Sequence, residues 1–268
     1  MIVKEIECRS ILSKSGIPGV DYVVNPYVGC AHGCVYCYAT FIKRFTGHEE
    51  PWGTFVDVRV NAAEVLARQA RRARPGTVVL SSVTDPYQPL EERYGITRAC
   101  LEALVGSDLG VSILTKSALV QRDIDILRRL GDVEAACTIT TLDEGLRRRF
   151  EPRAAPSAAR LEALAALGAA GIRTWAFCGP LLPFLSDGEG QIDALFGELQ
   201  RAGVSRVFVD SLNLCGAAWG RLQRVLAAHY PDLLPLYQAL RRDRQPYHRA
   251  LLERARRIAS RHGLTVDE

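Results

Sequence analysis

Three cysteines, Cys30, Cys34 and Cys37, stand at the spacing C-x3-C-x2-C within Asn25-Pro26-Tyr27-Val28-Gly29-Cys30-Ala31-His32-Gly33-Cys34-Val35-Tyr36-Cys37-Tyr38. Thiolates are good ligands for zinc and for iron–sulfur clusters. A structural zinc site takes four protein ligands, commonly from paired CxxC elements. No second CxxC follows here, and the next cysteine is Cys100. A four-iron cluster closed wholly by protein also takes four cysteines. Three thiols on one short loop, bounded by Gly29 and Gly33, therefore point to a four-iron cubane with one iron lacking a protein ligand. That open iron suits a small molecule carrying an amine and a carboxylate. The competing reading is a zinc site completed by His32 or a distant residue.

Such a loop has to be held by a scaffold, and a short β-branched run followed by a helical pattern recurs along the chain. Candidate strands are Val20 to Val24, Thr77 to Ser82, Val111 to Thr115, Ala135 to Thr141, Ile172 to Cys178 and Arg206 to Ser211. Each is mostly apolar on both faces, as a buried parallel strand is. Between them, Asn61-Ala62-Ala63-Glu64 has the spacing of a capping box, Thr97 is placed to cap Arg98 to Val105, and Ser157 to cap a long helix ending near Gly168 to Gly171. A helical stripe runs from Val120 to Leu130, and Gln191 to Ala202 and Ala217 to His229 follow the last two strands. Six β-α units imply a parallel sheet with helical crossovers. After Ser211 only helices are expected, so the reading is an α/β fold, an incomplete six-stranded barrel or an open parallel sheet. Residues 1–215 would form the core and residues 216–268 a helical extension packed on it. In either architecture the ligand site belongs at the C-terminal strand ends.

Composition sets the outer limits. The chain has 268 residues, 48% apolar, with 34 basic and 30 acidic side chains and a net charge of +4. Collagen-like, coiled-coil and disordered classes are excluded, and no apolar run is long enough to span a bilayer. Acids at Glu5 and Glu7, where a signal peptide is apolar, argue against export, so a cytoplasmic protein with no membrane partner is expected. The charge balance is too even to demand nucleic acid. From Arg221 to Arg261, however, ten arginines stand against Asp232, Asp243 and Glu253, with Tyr230, Tyr237 and Tyr247 interspersed. Such a segment is either a solvated helical surface or a track for a phosphate backbone.

The cysteine loop, with aromatic Tyr36 before the third cysteine, resembles the signature of the radical S-adenosylmethionine (SAM) superfamily. Asn25-Pro26-Tyr27, Cys37-Tyr38-Ala39, Ser82-Val83-Thr84-Asp85-Pro86-Tyr87-Gln88-Pro89-Leu90-Glu91, Leu114-Thr115-Lys116-Ser117, Thr138-Ile139-Thr140-Thr141-Leu142-Asp143, Glu151-Pro152-Arg153-Ala154 and Gly179-Pro180-Leu181-Leu182-Pro183 resemble the branch related to spore photoproduct lyase. The resemblance spans roughly residues 20–215.

It implies a partial (β/α)6 radical SAM barrel, a [4Fe–4S] cluster on Cys30, Cys34 and Cys37, and S-adenosyl-L-methionine chelated at the open iron. It also implies reductive cleavage of SAM to a 5′-deoxyadenosyl radical that abstracts hydrogen from a substrate. Such an oxygen-sensitive enzyme takes electrons from a donor such as flavodoxin or ferredoxin. By the same resemblance, Tyr36 and Tyr38 border the adenine or the cluster. Ser82, Thr84 and Asp85 face the methionine and substrate, Lys116 pairs with the SAM carboxylate, Thr138 or Thr140 bonds the ribose, and Gly179 admits the adenine. Glu151-Pro152-Arg153 reads as a helix-stop loop outside the site.

Five cysteines remain. Cys100 sits in an apolar helix, and Cys137 alternates with Thr138 onto the other side of its strand. Cys178 and Cys215 fall near the expected barrel mouth, where a thiol would donate hydrogen to a substrate radical; with Asp85 they are the catalytic candidates. Where spore photoproduct lyase has its hydrogen-donating cysteine, this chain has Ser81-Ser82. The substrate is therefore left as a small molecule or peptide, with repair or modification of nucleic acid as the alternative. Methyl or alkyl transfer from SAM is a further one, as is a non-enzymatic metal protein.

Overall fold

The computed structural model describes residues 1–214 and 216–267. Eleven strands appear in chain order: β1 (Ile2–Ile6), β2 (Leu12–Lys14), β3 (Tyr22–Val24), β4 (Tyr27–Val28), β5 (Phe55–Arg59), β6 (Gly76–Leu80), β7 (Leu109–Thr115), β8 (Val133–Thr138), β9 (Arg173–Leu181), β10 (Arg206–Ser211) and β11 (Thr265–Asp267). The main sheet runs β2-β3-β6-β7-β8-β9-β10-β11. The six expected strands are its centre, each parallel to the next: Val24 pairs with Leu80, Leu80 with Ile113, Thr115 with Cys137, Thr138 with Phe177, and Cys178 with Val209.

Helices cross over between these strands and bury their apolar stripes against them. Ile192, Leu195, Phe196 and Leu199 of the helix Glu189–Arg201 and Ala163, Leu164 and Leu167 of Ser157–Ala169 join Val78, Ile113, Ala135, Ala176 and Val207 in one core. The period-2 alternation then gives each strand one face toward these helices and one toward the hollow of the curved sheet.

Two features depart from the sequence reading. The C-terminal segment is not purely helical: β11 pairs in parallel with β10, Arg206 opposite Thr265. At three residues, Thr265–Asp267 is too short for periodicity to reveal. A second sheet, β1-β5-β4, lies outside the arc, with β5 parallel to β1 and antiparallel to β4. It leads directly into the cysteine loop.

The capping expectations are also corrected. Asn61 precedes the helix Ala62–Ala70 but its side chain makes no cap. Its amide accepts from Cys8 N at 2.8 Å and donates to Cys8 O at 3.0 Å instead. Thr97 lies inside the helix Ile96–Leu104, its hydroxyl donating to Pro86 O. Ser157 is the first helical residue, after Pro156, and donates to Thr141 O. Val120 to Leu130 is a 3-10 turn, Ala118–Asp123, running into a single α turn, Ile124–Leu127. No helix among the described residues is long and apolar enough to cross a membrane.

Candidate active site at the C-terminal strand ends

The loop after β4 takes its shape from two glycines. Gly29 has φ +81°, and a Cβ there would lie 2.6 Å from Phe55 O; at Gly33, φ +64°, it would lie 2.9 Å from Arg153 Nη2. Only glycine accepts both the backbone angle and the crowding. Gln88 secures the loop from the far side, its Oε1 accepting from Ala31 N at 2.8 Å and its Nε2 donating to Gly29 O at 3.4 Å. Thr84 Oγ1 also donates to Gly29 O, at 2.5 Å. The Thr84 to Gln88 stretch therefore holds the cysteine loop as well as bordering the cavity.

Cys30, Cys34 and Cys37 line one cavity at the ends of β6, β7, β8 and β9, together with His32, Tyr38, Ser82, Thr84, Asp85, Leu114, Lys116, Thr138 and Phe177. Its empty volume, open mouth included, is about 660 Å³. Most of the expected site residues thus converge. Tyr38 reaches over the rim, its hydroxyl donating to Ser82 O at 2.6 Å. Ser81, in the left-handed region at φ 71°, turns the chain at the end of β6 so that Ser82 and Val83 face the opening.

The three thiols fit a multi-iron cluster. The donor set is three thiols on one cavity, with no fourth cysteine on the loop to complete a closed site, which is the ligand chemistry of an iron–sulfur cluster. Burial pushes all three thiols up from their ordinary pKa. Coordination to iron would reverse that preference, since a coordinated thiol is deprotonated outright.

Asp85 serves Lys116. Its carboxylate accepts from Tyr87 N at 2.9 Å, Thr115 Oγ1 at 2.6 Å and Lys116 N at 2.8 Å. His32 Nε2 lies 3.3 Å from Asp85 Oδ2 but is not aligned for a hydrogen bond, so that contact is electrostatic. Burial opposes ionisation of Asp85; the His32 ring, the Thr115 hydroxyl and the Lys116 amide outweigh it and bring the pKa down to about 2. Lys116 Nζ stands 5.8 Å over the Tyr36 ring.

The remaining expected residues sit elsewhere. Tyr36 points below the cavity, and its hydroxyl donates to Glu151. Thr140 lies past the end of β8 and donates to the same carboxylate at 3.1 Å, away from the cavity lining. Gly179 lies within β9; a Cβ there would meet the Phe177 ring at 2.5 Å, so its smallness accommodates Phe177, which lines the cavity. Cys178 is the clear correction: neighbouring Phe177 faces the hollow, so Cys178 faces the helices, fully buried in the main core. Cys215, the other thiol candidate, lies outside the described residues.

Glu151, expected to lie in a loop outside the site, is a fully buried hub. It accepts from Tyr36 and Thr140, and pairs at 2.5 Å with Arg160, itself fully buried. Arg160 further donates to Thr138 O and Ala155 O, and Arg147 donates to Glu151 O. Burial opposes the Glu151 charge, but Arg160 and Lys116 more than offset it and lower the pKa.

The C-terminal segment covers the outer side of the loop. Leu222, Leu226 and Tyr237 pack with Cys34, Tyr36, Leu146 and Phe150. Arg221 donates to Val35 O at 3.1 Å and Cys37 O at 2.9 Å.

Comparison with known proteins agrees with this arrangement. An uncharacterized protein of Mycobacterium tuberculosis is 35% identical over 254 residues, 91% of this chain and 74% of the relative. One of Methanocaldococcus jannaschii is 31% identical over 85% of this chain and 83% of its own length. A radical SAM Nα-GlyT isomerase of Pseudomonas phage M6 is 28% identical over 74% of this chain and 40% of that protein. Spore photoproduct lyase with bound AdoMet and dinucleoside spore photoproduct has a similar fold, with a TM-score of 0.74 at 19% identity over 98% of this chain and 80% of that one. The family model of the radical SAM superfamily, whose enzymes use a [4Fe–4S] cluster and SAM, matches residues 24–208. That match takes in the cysteine loop and every strand from β4 to β9, so the chain belongs to the radical SAM superfamily and is an enzyme of that kind.

Proposed function

We propose that Cys30, Cys34 and Cys37 hold a [4Fe–4S] cluster, and that the enzyme reductively cleaves SAM to a 5′-deoxyadenosyl radical that takes hydrogen from a substrate. The observation that carries this reading is the convergence of the three thiols with Lys116 on one cavity at the strand ends. The cluster supplies the electron that breaks the C5′–S bond; the protein binds, orients and shields. Lys116, fixed by Asp85, offers its ammonium to the SAM carboxylate, a charge-assisted contact. Thr138 presents a hydroxyl to the ribose, and Tyr38 and Phe177 form walls for the adenine. Asp85 acts as a positioning residue, since its oxygens are committed to Tyr87, Thr115 and Lys116.

Anaerobic reconstitution with iron and sulfide, then reduction with SAM present, tests the reading. 5′-Deoxyadenosine should form, and should disappear in Cys30→Ala, Cys34→Ala and Cys37→Ala. Its persistence in these variants would refute the ligand assignment. A methyl- or alkyl-transferring enzyme would instead label a substrate from SAM.

A second reading, action on a nucleic-acid base, is favoured by one feature. Tyr38, Phe41 and Phe45 are 61%, 41% and 76% exposed and follow one another from the cavity rim with successive ring centroids 6.4 Å apart, the first pair stacked and the second edge-on. Exposed aromatic rings in series are stacking platforms for unpaired bases. Salt-dependent binding of a single-stranded oligonucleotide, lost in Phe41→Ala/Phe45→Ala, would support it; no binding at low salt would exclude it.

A further inference from the structure

The cysteine loop has two sides. One faces the cavity; the other is covered by a thin layer made of the helices Glu144–Phe150 and Ala217–His229, with Leu234–Arg242 alongside. The first helix touches the loop through Val35 N, which donates to Phe150 O at 2.8 Å, and the second through Arg221, bonded to Cys37 O. Arg149 ties the first helix to the end of the second by bonding Tyr230 at 3.2 Å, and Arg241 lies 5.2 Å over the Trp219 ring. These three helices carry seven arginines and one carboxylate, Glu144, which is paired with Arg147. Among the described residues, Arg148, Arg149, Arg224 and Arg241 are exposed and form no ion pair. Three exposed acids border them, Asp143 and Asp243 at helix ends and Asp232 in the turn between Ala217–His229 and Leu234–Arg242, so the arginines remain in excess.

An excess of unpaired arginines over acids on one surface leaves a field that attracts an acidic protein. This one lies over the backbone of the cluster loop, on the side away from the cavity. Resting on the proposed radical SAM activity, we infer that this face is the docking surface for an acidic one-electron carrier protein of the flavodoxin or ferredoxin kind. Each encounter oxidises the carrier by one electron and reduces the loaded site by one, with no atom exchanged. Docking here leaves the cavity mouth free for substrate, so both partners bind at once.

The test compares the reconstituted wild type with Arg148→Glu/Arg224→Glu, two exposed positions outside the cavity. Binding to an acidic flavodoxin is measured by surface plasmon resonance across a salt series. SAM cleavage is measured with reduced flavodoxin and, separately, with dithionite, a small reductant that requires no docking. The expected result is flavodoxin binding at least about tenfold weaker in the variant at low salt, a difference that vanishes as salt screens the field. Flavodoxin-driven cleavage falls in step, while dithionite-driven cleavage is unchanged. Equal flavodoxin affinity in the two proteins would overturn the inference. So would an oligonucleotide that binds the wild type alone while flavodoxin affinity stays fixed, which would give the face to a phosphate backbone. If dithionite yields no cleavage even in the wild type, the proposed activity fails instead, and the binding comparison still reads the surface.

Discussion

The Tyr36 hydroxyl donates to the Glu151 carboxylate across 115 residues of sequence, joining the cysteine loop to the turn that ends the helix Glu144–Phe150. Tyr36 lies between Cys34 and Cys37, so this bond helps fix the relative placement of two of the three cavity thiols from beneath. Removing one partner of a buried ion pair strands the other, at a cost of about 3–5 kcal/mol. Glu151→Ala should therefore destabilise the apo-protein by that order in urea unfolding, because Arg160 is left charged and buried. Tyr36→Phe keeps the ring and removes one donor, while Arg160 and Thr140 still serve the carboxylate. Its cost should be about 1–3 kcal/mol, with iron content retained on reconstitution. Equal effects from the two substitutions would contradict the hub.

Asp85 anchors the main-chain amide of Lys116, and the Lys116 side chain lies in the cavity with the three thiols. A hydrogen bond to a charged group is worth about 1.5–3 kcal/mol. Lys116→Ala should then weaken SAM binding by roughly one to two orders of magnitude by equilibrium dialysis. The iron–sulfur absorbance should be unchanged. Asp85→Asn should weaken SAM binding too, through loss of the anchor. An unaltered SAM affinity in Lys116→Ala would remove the lysine from the site.

Cys178 faces the helices. Cys178→Ala should leave 5′-deoxyadenosine formation and product formation intact, with a stability loss of about 1 kcal/mol as expected for a small buried deletion. Loss of product with SAM cleavage preserved would restore the hydrogen-donor role.

His48 supplies a pH signature. It is buried and stacked on Phe55 with ring centroids 3.9 Å apart, and its nitrogens lie 2.9 Å from Glu50 and 2.9 Å from Asp57. Burial opposes its charge, but these two hydrogen-bonded carboxylates prevail and raise the pKa above the ordinary histidine value. A raised folded-state pKa gives stability that is complete below the unfolded value, about 6.5, and is lost as pH rises through the folded one. The stability advantage of the wild type over His48→Gln should thus shrink as pH climbs from about 6.5. Thermal melts across that range check it; an advantage that grows with pH would reverse the assignment.

The six central strands and the cysteine loop were legible because their signals are local. A β-branched run bounded by glycine and proline announces a buried strand, and thiol spacing announces a ligand set. Lys116 and Thr138 were singled out by the family resemblance, and both line the cavity. What escaped depends on contacts distant in sequence. β5 reads as Phe-Val-Asp-Val-Arg, an alternation that becomes meaningful only when β1 and β4 flank it. Glu151 looks like any acid before a proline until Arg160, Tyr36 and Thr140 meet it in the interior. Cys178 misled for a different reason: its position along β9 was read correctly, but a shift of one residue changes the face to which a strand side chain points.

The pair of bonds from Arg221 to the carbonyls of Val35 and Cys37 closes the loop from a point 184 residues later in the chain. Chains are made from the N-terminus and fold as they emerge. The three thiols are therefore complete and uncovered while the helix that shields them is still to be synthesised. Those helices close only the outer side of the loop; the cavity side stays open, so the finished chain keeps a route by which the thiols are loaded.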